Sequence, residues 1–540
     1  MSVRKENQIL ILILAITGLG GFFCMDIGHE WGDDFVLYLH QSHCWIYGGM
    51  DALAISNAQC MEQSQGVMGP DLYPQGFPLL MSLPMRGFST WGFLGLKIAN
   101  FGIFVLCALA GWRWMKNIFS GRLDLAGIAF MMIVWHPKFW EAADRLTSDL
   151  WFSGLILVFF YLLNEKWKNV FVRSISLGLI LFMATVTRTN GIFLLPVWVL
   201  FEWQRHPCIF GKLLSDLTCG SSDTIGQNKS HPLAVDGNSR GSNPWLKMQA
   251  LFPFLLAWVL GILGGGTALL MDLGHGQIYI DLLRGISMDG VWDNCITYFA
   301  MIGKYPIWHV ANFLERDLNL GPFVYFLAAV FWFMVVWGAC KNLRILFPYL
   351  VFFLLNLLLI VFWPNVQGMR LLFPILPVIC VSFVFGLQGF WVWVSRFQQA
   401  GQRCRLIPRW NLNRQIAIRI VPGLILIQGI ATSFFYFQRD TNEAFSTSAT
   451  ELYRFIDSHI PANKRISFHK PRLLHWITGA TAFRINNDSI TKQSTHLVLR
   501  NLQKRKIDYW ILSVKENSVG VSKALAVVFK NKEFVVYQIL

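Results

Sequence analysis

Charged residues are scarce in this sequence. Of its 540 residues only 14% are Asp, Glu, Lys or Arg, whereas 54% are hydrophobic and 15% are aromatic. So little charge excludes an ordinary soluble globular protein. Apolar runs of up to about 20 residues, the length that crosses a bilayer as a helix, recur along the chain. The sequence therefore predicts a mainly α-helical, polytopic membrane protein.

Motifs for metals and nucleotides are also missing. The ten cysteines are scattered without Cys-x-x-Cys or Cys/His spacing, so neither a zinc site nor a disulfide framework is indicated. The chain has no Asp-x-Asp, Walker A or GxGxxG motif, the devices by which many soluble enzymes hold nucleotide diphosphates. A nucleotide-sugar substrate is therefore disfavoured. No metal ligands and no cofactor are predicted, although a divalent cation is left open.

The net charge of +15 raises the question of nucleic-acid binding. The basic residues, however, lie in short segments between apolar runs, which is the pattern that orients a chain in a membrane. We expect membrane lipids around the protein and no nucleic-acid partner.

Eleven apolar runs predict about eleven transmembrane helices, at residues 8–25, 92–114, 124–137, 149–164, 171–187, 190–203, 249–271, 321–340, 345–363, 371–395 and 417–437. Under this count five basic segments fall on the cytoplasmic side, in agreement with the positive-inside rule. They are Arg4/Lys5, Arg113/Lys116/Arg122, Lys166/Lys168/Arg173, Lys341/Arg344 and residues 396–419. The N-terminus is then cytoplasmic, and the outer segments are 26–91, 138–148, 188–190, 272–320, 364–370 and everything after about 438.

Two domains are predicted. Residues 1–437 form the transmembrane domain, with a first outer loop at about 26–91 and a flexible cytoplasmic loop at about 204–248 that is rich in Gly, Ser, Asn and Asp. Residues 438–540 form a small extracytoplasmic α/β domain. A helix is expected at 451–459, and strands are expected at 465–468, 507–512 and near the end of the chain.

Carboxylates stand at the outer ends of the spans. Asp33 and Asp34 follow the first span, and Asp149 enters the fourth. An acid next to lipid is costly and marks chemistry more often than packing, so each is a candidate general base. The alternatives are a solvated loop acid for Asp33 and Asp34, and a helix N-terminal charge for Asp149.

Three cations are placed to neutralise a phosphate at the outer face: Lys97, Arg188 and Arg370. A guanidinium suits phosphate because its planar donors bind two oxygens at once. Lys97 and Arg188 have a second interpretation, as side chains that reach the membrane surface for solvation alone. Arg370 is the strongest candidate, since it lies in a tight connection between two spans.

The stretch Tyr73-Pro74-Gln75-Gly76-Phe77-Pro78 breaks any helix in the first outer loop. It shapes an entrance for the acceptor or the lipid, or it is only a structural turn.

Five motifs occur in a characteristic order: Gly32-Asp33-Asp34-Phe35 with Tyr38, Tyr73-Pro74-Gln75-Gly76, Ser148-Asp149-Leu150, Thr187-Arg188-Thr189-Asn190-Gly191 and Met369-Arg370-Leu371-Leu372-Phe373-Pro374. Together they resemble those of bacterial GT-C membrane glycosyltransferases, which include protein O-mannosyltransferases and the lipid A aminoarabinose transferase. The resemblance covers about residues 8–440.

The resemblance implies a GT-C fold and an inverting transfer of a sugar from a polyprenyl-phosphate donor to a lipid, glycan or protein acceptor, at the outer face of the bacterial inner membrane. It implies that Asp34 or Asp33 is the base, and that Tyr38, Tyr73 and Gln75 belong to the acceptor and donor loop. The family commonly has Asp-Glu where this chain has Asp-Asp, so which acid acts is left open. Lipid A enzymes have a phosphate-binding lysine in the Tyr-Pro region, where Gln75 is uncharged, so Arg188 and Arg370 take more of that role.

Two other classes remain. A flippase or transporter of lipid-linked saccharides is expected to place ionisable groups at mid-membrane and to show repeat symmetry. A non-catalytic envelope scaffold is expected to tolerate replacement of Asp33 and Asp34.

Overall fold

A computed structural model describes residues 3–64, 69–205, 287–363, 366–403, 414–438, 442–485, 495–514 and 524–540. The cytoplasmic loop predicted at 204–248 lies, beyond Arg205, outside these residues. The apolar run at 249–271 and the part of 272–320 before Ser287 also lie outside them.

Long helices account for most of the described chain, because its apolar residues recur in runs bounded by polar or turn residues. The helices up to residue 205 are α1 (Val3–Phe23), α2 (Asp33–Tyr47), α3 (Met50–Gln63), α4 (Gly76–Met85), α5 (Phe88–Ile118), α6 (Leu123–Val134), α7 (Pro137–Ala143), α8 (Ser148–Asn164), α9 (Val170–Thr187) and α10 (Leu194–Arg205). After residue 286 they are α11 (Met288–Gly303), α12 (Trp308–Arg316), α13 (Gly321–Lys341), α14 (Leu343–Val361), α15 (Leu376–Arg403), α16 (Arg414–Gln438), α17 (Thr447–His459), α18 (Pro471–Thr478) and α19 (Thr495–Lys504).

Every predicted apolar run within the described ranges coincides with helix. By length and hydropathy, six of these described helices can cross a membrane: α1, α5 from Gly92 onward, α9, α13, α14 and α15 up to Arg396. Shorter apolar helices occur within α4, α6, α8 and α16. The mainly helical fold is confirmed, while the count of eleven spans stays a prediction.

The first outer loop is not irregular but carries the helices α2, α3 and α4. The turn before α4 packs closely on the end of α9, since a Cβ on Gly76 would lie 2.8 Å from the Thr187 hydroxyl oxygen and 2.9 Å from its backbone nitrogen. A larger residue at position 76 would collide with Thr187 and with the backbone of Val186. The motif glycine is thus explained by a close backbone approach.

Polar contacts occur at opposite ends of α1 and α5. Near the start of α1, Glu6 accepts a hydrogen bond from Lys116 near the end of α5 at 2.7 Å. At the other end, Lys97 donates to the backbone oxygens of Asp26 and Gly28, just after α1. The two helices therefore run antiparallel, as the predicted alternation across the membrane requires.

The C-terminal part contains a five-stranded sheet. Its strands are β1 (Arg465–Ser467), β2 (Thr481–Phe483), β3 (Tyr509–Ser513), β4 (Leu525–Lys530) and β5 (Phe534–Ile539). The order is β2-β1-β3-β5-β4, with β1 parallel to β2 and β3, and β5 antiparallel to β3 and β4. With α17 and α18 packed against it, this is the mixed α/β structure that the sequence predicts.

The sheet-bearing part packs on the first outer loop. Leu473 of α18 lies in one buried cluster with Phe35 and Tyr38 of α2 and Phe77 of α4. Arg472 donates to the backbone oxygens of Gly69 and Pro70 at 2.8 and 2.6 Å. Apolar burial and buried hydrogen bonds thus hold this helix against the loop that carries Asp34.

Candidate active site

Two carboxylates and two guanidinium groups from four distant segments meet at one place. Both terminal nitrogens of Arg370 donate to Oδ2 of Asp34, at 3.0 and 3.1 Å. Arg188 donates to Oδ1 of Asp149, and Nε of Arg370 lies 3.7 Å from Oδ2 of Asp149. These side chains therefore form a row of alternating charge in the order Asp34, Arg370, Asp149 and Arg188. The two negative and two positive formal charges cancel.

Local backbone structure explains these positions. Asp34 and Asp149 each lie in the first turn of a helix, α2 and α8, where the partial positive charge of the helix end favours a carboxylate. Arg370 lies in the short 3₁₀ helix Gly368–Leu372. The φ of Gly368 is +65°, in the left-handed region that favours glycine, and this starts the turn that directs Arg370 towards the acids.

Asp34 is the accessible acid of the pair, with about a third of its side chain, 35%, exposed. Its Oδ1 accepts a hydrogen bond of 2.6 Å from the Tyr73 hydroxyl. Burial raises the pKa of this carboxyl, but the charge of Arg370 and the bonds from Tyr73 and Arg370 outweigh it, so the pKa lies below the ordinary value. Asp34 is thus ionised at neutral pH, as a general base must be.

Asp149 is held differently. Its side chain is 3% exposed and lies between the two guanidinium groups. An acceptor hydroxyl cannot reach a carboxylate so enclosed without moving an arginine. The structure therefore favours Asp149 as the group that positions Arg188 and Arg370, which agrees with the alternative interpretation of a structural helix-start acid.

A cavity of about 240 Å³ opens on the other side of Arg370. Basic, acidic and apolar side chains share its wall: Lys138, Arg145, Arg370, Glu141, Asp149, Met301, Trp308 and Phe373. The buried Nε of Arg370 has no hydrogen-bond partner within the described part of the chain. A buried donor without an acceptor is costly, so this N–H is available for a ligand oxygen in the cavity.

Sequence reasoning missed Lys138 and Arg145. Both lie in the predicted outer segment 138–148, where the positive-inside rule expects few basic residues. Two basic residues in a predicted outer segment therefore depart from this rule, and that departure could have marked them as candidates. Lys138 pairs with Glu141, and Nε of Arg145 lies 3.0 Å from Glu30, so both are anchored at the cavity wall.

Tyr38 and Tyr73 lie beside the charged cluster, as the loop assignment expects. Their rings stack with centroids 4.5 Å apart, and the Tyr38 hydroxyl lies 3.0 Å from the Ser148 hydroxyl. Gln75 points elsewhere, since its Oε1 accepts a hydrogen bond from Trp45 at 3.0 Å. Asp33 begins α2, but its side chain lies outside the described part of the structure.

The assignment of Lys97 to a donor phosphate is corrected by the structure. Its side chain is fully buried, and its ammonium donates to Oδ1 of Asp144 at 2.5 Å and to two backbone oxygens at 3.1 and 2.6 Å. An ammonium has three N–H donors, and all three are used. Lys97 instead joins the ends of α1, α5 and α7.

We therefore expect Lys97→Met to destabilise the protein, because it leaves Asp144 buried without its counterion. Removing one partner of a buried pair costs about 3–5 kcal/mol. The midpoint of thermal unfolding in detergent micelles, followed by tryptophan fluorescence, measures this loss. Lys97→Met/Asp144→Leu should recover part of it. Unchanged unfolding of Lys97→Met together with lost donor binding would restore the phosphate assignment.

Comparison with known proteins gives structural neighbours only. No protein-family model and no curated protein matches the chain. Among solved structures it is similar to ArnT from Cupriavidus metallidurans bound to undecaprenyl phosphate, with 12% identity, 98% of this chain and 97% of that chain covered, and a TM-score of 0.46. It is also similar to the oligosaccharyltransferase AglB from Archaeoglobus fulgidus, crystallised with an inhibitory peptide and a dolichol-phosphate (10% identity, 95% and 70% covered, TM-score 0.49). A third neighbour is the arabinofuranosyltransferase AftD from Mycobacteria (11% identity, 100% and 40% covered, TM-score 0.48).

Proposed function

We propose that this protein is an inverting glycosyltransferase that moves a sugar from a polyprenyl-phosphate donor to an envelope acceptor. The observation that carries the proposal is the position of Arg370. It pairs with an ionised, accessible Asp34, and its buried Nε–H, which makes no hydrogen bond within the described residues, borders a cavity whose wall also holds Lys138 and Arg145. Base and phosphate clamp are thereby joined through one side chain.

Asp34 takes the proton. As the acceptor hydroxyl approaches Asp34, a carboxylate oxygen accepts its proton while the hydroxyl oxygen forms a bond to the anomeric carbon of the donor sugar. The bond from that carbon to the phosphate oxygen breaks at the same time, and its electron pair leaves with the polyprenyl phosphate. Attack on the face opposite the leaving group inverts the configuration.

The cations act on the leaving group. Negative charge grows on the phosphate oxygen as the sugar departs, and fixed guanidinium donors stabilise that charge most strongly in the transition state. Arg370 and Arg188 fill this role, with Lys138 and Arg145 along the same cavity. The apolar side chains Met301, Trp308 and Phe373 suit the first isoprene units of the lipid.

The transfer takes place at the outer face of a bacterial inner membrane in this proposal. Support comes from the four segments that carry Asp34, Asp149, Arg188 and Arg370. All four are assigned to one face by the distribution of basic residues, and all four meet in the structure. The C-terminal α/β part packs on the same face through α18.

An alkaline phosphatase fused after Leu540 is therefore expected to be active, because the C-terminus lies outside the cytoplasm. A fluorescent protein that matures only in the cytosol should stay dark at the same position. Both fusions are compared with fusions near Arg344, in a predicted cytoplasmic segment, where the results should be reversed. An inactive phosphatase fusion together with a fluorescent fusion after Leu540 would place the C-terminus in the cytoplasm. The assignment of the site to the outer face would then be wrong.

The reaction itself is tested with purified full-length protein and envelope extract. Donors carrying a radiolabelled hexose or pentose on undecaprenyl phosphate are supplied, and label transferred to lipid, glycan and protein fractions is measured. Transfer from at least one donor, with inverted anomeric configuration by NMR, is the expected result. If no lipid-linked donor supports transfer and the protein instead moves the donor between the leaflets of a vesicle, the flippase hypothesis would replace the proposed enzyme.

A further inference from the structure

A second cavity lies at the junction of α3 with the C-terminal part, separate from the one beside Arg370. Its volume is about 60 Å³, room for about four water-sized groups. Residues of α3, of α18 and of strand β2 line it, both apolar ones such as Phe483 and polar ones, which include Ser56, Asn57, Gln59, Arg472 and His475. Among these described lining residues none is acidic.

Arg472 is the unusual member of this wall. It is 4% exposed, and one terminal nitrogen, Nη2, donates to the backbone oxygens of Gly69 and Pro70. The buried Nε and Nη1 have no hydrogen-bond partner within the described residues. No carboxylate of those residues forms an ion pair with it either. The charge of Arg472 contributes to lowering the pKa of Asp34, but that carboxylate already pairs with Arg370. A buried guanidinium with free donors and no ion pair of its own is costly to maintain, which points to an anion that is supplied from outside the chain.

The neighbouring groups suit an oxyanion. Nδ1 of His475 lies 3.1 Å from the backbone oxygen of Ala480, which can only accept, so the ring proton is on Nδ1. Nε2 is then 3.4 Å from the Ser56 hydroxyl. Because Nε2 can then only accept, the Ser56 hydroxyl donates to it. The side-chain amide of Gln59 is the further donor beside the planar fork of Arg472, which matches phosphate or carboxylate geometry.

Arg472, in the wall of this cavity, lies near the proposed base, and its charge contributes to lowering the pKa of Asp34. The Cβ position of residue 69 lies 2.6 Å from the Tyr73 hydroxyl oxygen and 3.4 Å from Nη1 of Arg472. Tyr73 in turn donates to Asp34. A molecule whose oxyanion sits on Arg472 would therefore place a hydroxyl a few bonds away next to Asp34.

We infer that the acceptor substrate is anionic, and that Arg472 and Gln59 bind its phosphate or carboxylate group in this cavity. The inference rests on the proposed function for the identity of the ligand. It gives the C-terminal part a direct role, because Arg472 is the residue through which α18 reaches the acceptor. Donor and acceptor then use separate anion sites on either side of Asp34.

The first arm of the test needs no transfer activity. Purified full-length protein in detergent micelles is titrated with inorganic phosphate at constant ionic strength, and the shift in unfolding temperature gives the affinity. Arg370→Gln is the background, so that the donor site contributes least. In this background Arg472→Gln should weaken phosphate binding by about 10- to 100-fold, since a charge-assisted hydrogen bond is lost.

Gln59→Glu covers the case in which Arg472→Gln fails to fold. Gln59 is exposed on α3 and lines the cavity, so a negative charge there repels the anion while the helix stays intact. Its matched control is Ala58→Glu, which adds the same charge one residue away, outside the cavity wall. We expect about tenfold weaker binding for the first and unchanged binding for the second. Equal phosphate affinity in all variants would overturn the site.

The second arm assigns the anion to the acceptor. Phosphate should inhibit transfer in competition with the acceptor, and Gln59→Glu should raise both the acceptor KM and the inhibitory phosphate concentration by about tenfold, whereas Ala58→Glu should change neither. Competition with the donor alone would overturn the acceptor assignment. If phosphatidylglycerol in nanodiscs displaces the bound phosphate and phosphatidylcholine does not, the cavity binds a lipid headgroup. That result would also overturn the acceptor assignment. If wild type transfers no sugar at all, the proposed function fails while the first arm still decides the cavity.

Discussion

Asp34→Asn is expected to lower the rate of sugar transfer by about 10²- to 10⁴-fold, the usual contribution of a positioned general base. Asparagine keeps the shape of the side chain: its one oxygen can accept from Arg370 while its NH2 group donates to the Tyr73 oxygen, but it cannot take the acceptor proton. Folding and donor binding should therefore persist. Transfer from a radiolabelled polyprenyl-phosphate donor measures the rate, and binding of the labelled donor is measured alongside.

Asp33→Asn is the matched control, since it removes the same charge one position earlier in the same helix turn. It should retain most of the transfer activity. The opposite result, with Asp33→Asn inactive and Asp34→Asn active, would make Asp33 the base. Near wild-type transfer by both single variants and by the double variant would remove this helix start from the mechanism.

Arg370→Gln has the second largest expected effect, a loss of about 10²- to 10³-fold in kcat, comparable to the loss of one donor that stabilises charge in a transition state. It should also change the pH profile. Burial raises the pKa of Asp34 and Arg370 lowers it, so removal of Arg370 raises that pKa. Because the base acts only when ionised, the acid limb of kcat/KM should move to higher pH.

Arg370→Lys separates charge from geometry. It keeps the positive charge near Asp34 but loses the fork that donates twice to the same carboxylate. The acid limb should then stay near its wild-type position while kcat remains reduced. An Arg370→Gln enzyme with unchanged kcat and an unchanged acid limb would exclude the residue from both roles.

The helices were predictable because hydropathy is a local property. Runs such as 171–187 and 321–340 correspond to Val170–Thr187 and Gly321–Lys341 with shifts of one residue. Charge distribution then sorted the connections between them. The same distribution predicts that Asp34, Asp149, Arg188 and Arg370 lie on one face.

The partners of those residues were not predictable, because they depend on distances across the fold. Lys97 and Arg188 looked alike in the sequence, each a cation near the outer end of a span. The structure distinguishes them. The Lys97 ammonium donates to Asp144 and to two backbone oxygens, whereas Arg188 donates to Asp149 at the candidate site. Gln75 likewise accepts a hydrogen bond from Trp45, a contact that no local sequence pattern predicts.

Arg472 was invisible at the level of the sequence for the same reason. Its backbone acceptors lie 403 and 402 residues earlier in the chain, and nothing around Pro471-Arg472-Leu473 indicates them. Only the packing of α18 on the first outer loop makes a tail residue a neighbour of Asp34.

That packing also sets an order of events during biosynthesis. The loop with Asp34 leaves the ribosome early, but the helix that completes its surroundings is about 400 residues behind. At 5–20 residues per second, the half-built site waits for about 20–80 s before α18 can dock. During that interval Tyr73, Gly69 and the apolar side of α2 face water and lipid without their cover. A nascent chain arrested before residue 471 should therefore insert into the membrane and yet leave this loop open to protease, whereas arrest after the last strand should protect it.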